Sequence, residues 1–156
     1  MEVLVRQLSQ INIDVIFSSP LKRAVAVGNA IANDHKIECS IEARLIEMNF
    51  GVFEGIQRDN DAYQKQKRMY FTKYPEGESY LQVVGSIYPM LDELRNKYKD
   101  KTVLLVTHNG VCRIISSFFE NMTLEEFACF NMKNCEVREY FLEGGITNEH
   151  FFKLRT

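Results

Sequence analysis

Residues 102–107 read Thr-Val-Leu-Leu-Val-Thr, an unbroken run of leucine and β-branched residues. A strand with one wet face alternates apolar and polar side chains; a run without alternation has both faces covered, as in a parallel sheet. The run therefore predicts a central strand with helices on either side. It ends at His108-Asn109-Gly110, and a helix is expected from Val111 to about Phe119.

A second segment is built the same way. Asp14-Val15-Ile16-Phe17 is a short apolar strand that runs into Ser18-Ser19-Pro20. A hydroxyl followed by proline is a helix start, because the hydroxyl caps free amides and proline fits the first helical position. That helix is expected to reach about Asn33, with Arg23 in its first turn. Leu4, Val5 and Leu8 place the end of an amphipathic helix ahead of this strand.

Further along, a brief strand is expected at Lys36–Cys39, a loop at Glu42–Gly55 and a polar helix at Asp59–Tyr70. Ser79 opens a helix to about Tyr98, in which Pro89 predicts a kink. Thr123 and Glu126 form a capping box. Cys135–Leu142 reads as a strand, and Gly144-Gly145 as a hairpin into Glu149–Leu154. Strands alternating with helices predict an α/β fold: three layers, a mostly parallel sheet and helices on both faces. The 156 residues suit one domain, 1–156.

The net charge of −2 supplies no general basic field, so no nucleic-acid partner is expected and any anion site must be local. Cys39, Cys112, Cys129 and Cys135 form no CxxC pair and have no histidine at ligand spacing, so no metal is expected. No run is long enough to span a membrane and no signal peptide is visible, which points to a cytoplasmic protein with reduced thiols.

Ligands of open α/β sheets bind beyond the carboxyl ends of the strands, where helix N-termini offer free amides to anions. Arg23 and His108 stand at two such ends. A guanidinium grips phosphate with two prongs, and an imidazole donates a hydrogen bond or moves a proton. Taken together they describe a phosphate pocket. His35 and His150 lack this setting and read as surface residues.

The blocks SSPLKRA, LIEMNFGVFEG, GES and VTHNGVCR, in that order, resemble the histidine phosphatase superfamily, which includes cofactor-dependent phosphoglycerate mutases. In that family one histidine attacks phosphorus, and a second, with two arginines, stabilises the transferring group. A glutamate protonates the leaving oxygen and then activates water. The resemblance implies that Arg23 is the second phosphate-binding arginine, Glu47 the proton donor and His108 the second histidine. Ser18 and the backbone amide of Asn109 are implied as lesser contacts. Met48, Phe50 and Phe53 beside Glu47 are apolar company that raises a carboxyl pKa.

Two departures stand out. Asn109 follows the histidine where the family usually has glycine. No Arg-His-Gly, the family's source of nucleophile and first arginine, occurs anywhere in the sequence. Too few residues separate Arg6 from Arg23 for Leu4-Val5-Arg6-Gln7 to be that strand, so the expectation is an N-terminally truncated domain whose first strand is missing. Its loss would leave unpaired edges inside the sheet, which a homo-oligomer or a rearrangement of the chain would cover.

The expected function is a phosphomonoester hydrolase of the histidine phosphatase type, acting through a phosphohistidine on a small phosphorylated metabolite and needing no cofactor. The short span between Glu47 and His108 favours phosphatase over mutase. This chain itself is expected to be inactive for want of its nucleophile. The rival readings are mutase-type phosphoryl transfer and a non-catalytic module that binds inorganic phosphate or a partner.

Overall fold

A computed structural model describes residues 2–57, 59–142 and 149–155, with 142 and 149–155 as backbone. The elements run α1 (Glu2–Leu8), β1 (Val15–Ser18), α2 (Lys22–His35), β2 (Cys39–Ile41), α3 (Asp61–Lys67), α4 (Tyr80–Lys97), β3 (Val103–Thr107), α5 (Asn109–Phe119), α6 (Leu124–Cys129), β4 (Val137–Leu142) and β5 (Glu149–Arg155). Two 3-10 turns, Ala43–Leu45 and Gly51–Phe53, lie between β2 and α3.

The sheet order is β2-β1-β3-β5-β4. β1 pairs in parallel with β2 and β3, β3 pairs in parallel with β5, and β4 is antiparallel to β5. The unbroken apolar run explains the centre: all five residues of β3 are buried. Its alternate side chains serve two cores. Val103 and Leu105 pack with Ile87 and Leu91 of α4 and Ile114 of α5. Leu104 and Val106 pack on the other face with Leu4 and Leu8 of α1 and Val27 and Ile31 of α2. The chain thus has the expected α/β architecture, a mostly parallel sheet between helical layers.

Several boundaries differ from the sequence expectations. α2 begins at Lys22 with Leu21 as N-cap and no side-chain cap, because the Ser19 hydroxyl takes the Leu21 amide (3.3 Å) and is also held by His108. α2 continues to His35, and Lys36 turns the chain with a left-handed φ of 57°, so β2 starts at Cys39 rather than Lys36. α3 is shorter than the expected polar helix; Asn60 caps it by accepting the Tyr63 amide at 3.0 Å. α4 runs through Pro89 as one helix. Both Ser79 and Thr123 form the full reciprocal capping box. The Gly144-Gly145 hairpin lies outside the described residues.

Of the two expected ways of covering the edges left by a missing strand, the sheet shows a rearranged one, closed with no internal gap. β1, β3 and β5 each have a strand on both sides, and the unpaired edges are the outer sides of β2 and β4. Among the described residues no helix is long and apolar enough to cross a membrane.

Candidate active site

Because β1 and β3 are parallel neighbours in register Ser18 to Val106, their carboxyl ends deliver Ser18-Ser19 and Thr107-His108 side by side. The Ser19 amide donates to the Val106 carbonyl at 2.9 Å and extends the ladder by one step. His108, only 1% exposed, then meets Ser19 and Arg23. Its Nε2 lies 2.7 Å from the Ser19 hydroxyl, and its Nδ1 lies 3.1 Å from Arg23 Nη2. Arg23, in the first turn of α2, is exposed along its stem and reaches back to the ring. The structure therefore brings Arg23 and His108 together.

Glu47 arrives from the loop after the first 3-10 turn, anchored by buried Leu45 and Met48. The Leu45 carbonyl accepts from the buried Thr107 hydroxyl at 2.7 Å, which ties this loop to the end of β3. The Glu47 carboxylate lies at the N-terminus of α5. It accepts from Met48 N at 3.0 Å and Gly110 N at 3.5 Å, and the Val111 N–H is also directed at it. Burial pushes its pKa up, while these amides and the Arg23 charge pull the other way; the net direction is upward. Glycine leaves room opposite it: a Cβ on Gly110 would stand 2.6 Å from Glu47 Oε1 and would push the carboxylate aside.

Of the two lesser contacts, Ser18 is the one turned away from the pocket. Ser18 is fully buried, its hydroxyl donates to the Ser19 carbonyl at 3.0 Å, and its Cβ faces Gly28 of α2. It does not reach His108; Ser19 does. Asn109 is the first residue of α5, and its side chain accepts from Met132 N at 3.0 Å. That bond fixes the segment after α6 against the helix start. The free amides expected for an anion at this helix start are partly taken up by Glu47.

A cavity of about 270 Å³ opens beside Glu47, with Asn109, Gly110, Tyr63 and Lys67 in its wall. Arg113 also lines it and was not singled out from the sequence. It is 3% exposed; Nη1 donates to the Tyr80 hydroxyl at 2.7 Å and Nη2 to the Phe130 carbonyl at 3.2 Å, but Nε has no partner among the described residues. The rings of Tyr80 and Phe127 flank it. The signal was one cation inside the otherwise apolar Val111–Ile115 stretch. For Ser19 it was the period of β1: Ile16 and Ser18 share the buried face against α2.

The cavity wall is held by two loops tied together. Glu78 N donates to the Asn49 carbonyl (2.9 Å), Val52 N to the Pro75 carbonyl (3.0 Å) and Asn49 N to the Glu78 carboxylate (2.8 Å). Gly51, at φ 57°, touches this partner loop so closely that a Cβ would strike the Pro75 carbonyl. Among the described residues no three His, Cys, Asp or Glu side chains are grouped to hold a metal ion.

Comparison with known proteins adds three likenesses. The chain is 27% identical over 149 residues to phosphoserine phosphatase 1 of Hydrogenobacter thermophilus, covering 91% of this chain and 71% of that protein. It is 28% identical over 128 residues to a 2,3-bisphosphoglycerate-dependent phosphoglycerate mutase of Rhizobium etli, covering 74% of this chain and 61% of the mutase. A mycobacterial glucosyl-3-phosphoglycerate phosphatase, solved with inorganic phosphate, superposes with a TM-score of 0.77 at 19% identity, covering 97% of this chain and 81% of that one. The family pattern of the histidine phosphatase superfamily, branch 1, matches residues 1–150, and the chain belongs to that superfamily.

Proposed function

We propose that the site handles a phosphomonoester, with Arg23 and His108 holding the phosphoryl group and Glu47 managing the proton of the leaving oxygen. The observation that carries this reading is the contact of Arg23 Nη2 with His108 Nδ1 beside a carboxyl group whose pKa burial has raised. Phosphoryl transfer asks mainly for positioning and for neutralisation of oxygen charge. It also asks for an acid that can protonate the leaving oxygen, and burial raises the Glu47 pKa in the direction that role needs.

The cavity of about 270 Å³ meets the site at Glu47, and its size suits a small phosphorylated metabolite whose remainder lies on the far side of that carboxyl group from Arg23 and His108. Arg113, which has no carboxylate partner among the described residues, favours a substrate with a second anionic or strongly polar group away from the phosphate. Two relatives are named for such compounds, one for phosphoserine and one for phosphoglycerate.

The sequence has three histidines: His108, His35 at the end of α2 and His150 on β5. Among the described side chains His108 is the histidine placed in the site, and the nucleophilic role needs a second. The 156-residue chain by itself is therefore expected to bind phosphate with little turnover. Calorimetry with inorganic phosphate tests the binding: Arg23→Ala should weaken it by roughly tenfold or more, from the loss of a charge-assisted contact. Equal affinity of the two proteins removes the pocket. An aryl phosphate tests turnover, and robust hydrolysis that disappears in His108→Ala would overturn the expectation of an idle site.

A further inference from the structure

The contacts of the His108 ring nitrogens with Arg23 and Ser19 determine where its proton sits. A guanidinium has donors and no acceptor, so Arg23 can hydrogen-bond Nδ1 only if that nitrogen presents a lone pair. The ring is then neutral and its single proton is on Nε2. Nε2–H in turn needs an acceptor, and the hydroxyl 2.7 Å away is Ser19's. Both side chains are buried, at 0% and 1% exposure, so water does not stand in for either one. Ser19 is itself held by its amide on Val106 and by the Leu21 amide that reaches its Oγ.

This arrangement excludes one reading of a serine against a histidine. A general base must offer Nε2 as a lone pair to the hydroxyl, and here Nε2 carries the proton. Ser19 is not an activated nucleophile. A hydroxyl has another property that matters: it accepts and donates. When an anion draws Arg23 away, Nδ1 must turn from acceptor to donor to touch a phosphoryl oxygen. Ser19 can keep its bond through that change, either by continuing to accept from Nε2–H or by reversing and donating to a bare Nε2.

We propose that Ser19 is the positioning residue of His108, a two-way hydrogen-bond partner that fixes the ring so that Nδ1 always faces Arg23 and the anion. The second measurement below rests on the phosphate reading of the site; the first does not. With isotope-labelled ring nitrogens, the phosphate-free protein should show a protonated Nε2 and a bare Nδ1 for His108. Adding inorganic phosphate should protonate Nδ1.

In Ser19→Ala the ring loses its anchor. The two nitrogens should then average between tautomers, and phosphate affinity should fall by about tenfold, the loss of one buried hydrogen bond. Ser19→Cys keeps the volume and offers a weaker acceptor, so it should fall between the two and serves if the alanine variant does not fold. A wild-type ring with its proton on Nδ1, or a variant with the wild-type ring spectrum and affinity, overturns the proposal. A wild-type ring as described that ignores phosphate, with tautomers that mix in Ser19→Ala, upholds Ser19 and sinks the anion site instead.

Discussion

A carboxylate pressed on the first turn of a helix is pulled in two directions, and Glu47 shows which pull prevails. Burial favours its neutral form more than the Met48, Gly110 and Val111 amides and Arg23 favour its charge. The folded protein thus holds the Glu47 proton to a higher pH than the unfolded chain does. Its contribution to stability is full below the ordinary glutamate range and is lost as pH rises through the folded value. Glu47→Gln does not titrate, so its stability should gain on the parent between acid and neutral pH. Urea midpoints at both pH values measure this, and parallel curves would refute it. Gly110→Ala forces a methyl toward Glu47 Oε1 and should cost about 1–3 kcal/mol in the same assay while displacing the carboxylate. The chemistry at this scale was partly legible. Arg23, Glu47 and His108 carry motif positions that the eye can pick out, and the fold gathers them. Ser19 was hidden because adjacent serines look alike until the strand's two-residue period assigns each a face.

Among the elements, strands and helices were legible where a physical rule is strict. β3 has no alternation because two cores claim its side chains, and the capping boxes at Ser79 and Thr123 form as their spacing predicts. Thr123→Ala should cost about 1 kcal/mol, felt as faster amide exchange in α6 with little change in α4; an unchanged α6 would mean that packing alone holds it. Boundaries were less legible where a side chain had a tertiary duty. Ser19 looks like a cap for α2, but its hydroxyl is bound to His108, so the helix starts later on Leu21. β2 shifted because α2 continued to His35 before the chain turned at Lys36, an outcome decided by packing against β1 rather than by local composition.

For the molecule as a whole, the sheet is a partition between two cores, and its central strand is shared by both. Leu104→Ala empties a fully buried position under α1 and α2 and should cost about 2–5 kcal/mol in chemical denaturation, since collapse on that side is limited by helices on both flanks. The outer edges of β2 and β4 are where a second copy would pair; sedimentation of the chain decides between a dimer and a monomer. The paired feet of the cavity wall have a separate consequence. Residues 56–73 carry α3 and one side of that wall, Ile56, Tyr63, Gln64 and Lys67, yet the chain on either side of them is stitched at Asn49 to Glu78 and at Val52 to Pro75. The intervening stretch is a cassette. Evolution or an engineer can lengthen, shorten or exchange it, and so retune which molecule fits, while Glu47 stays pressed on α5.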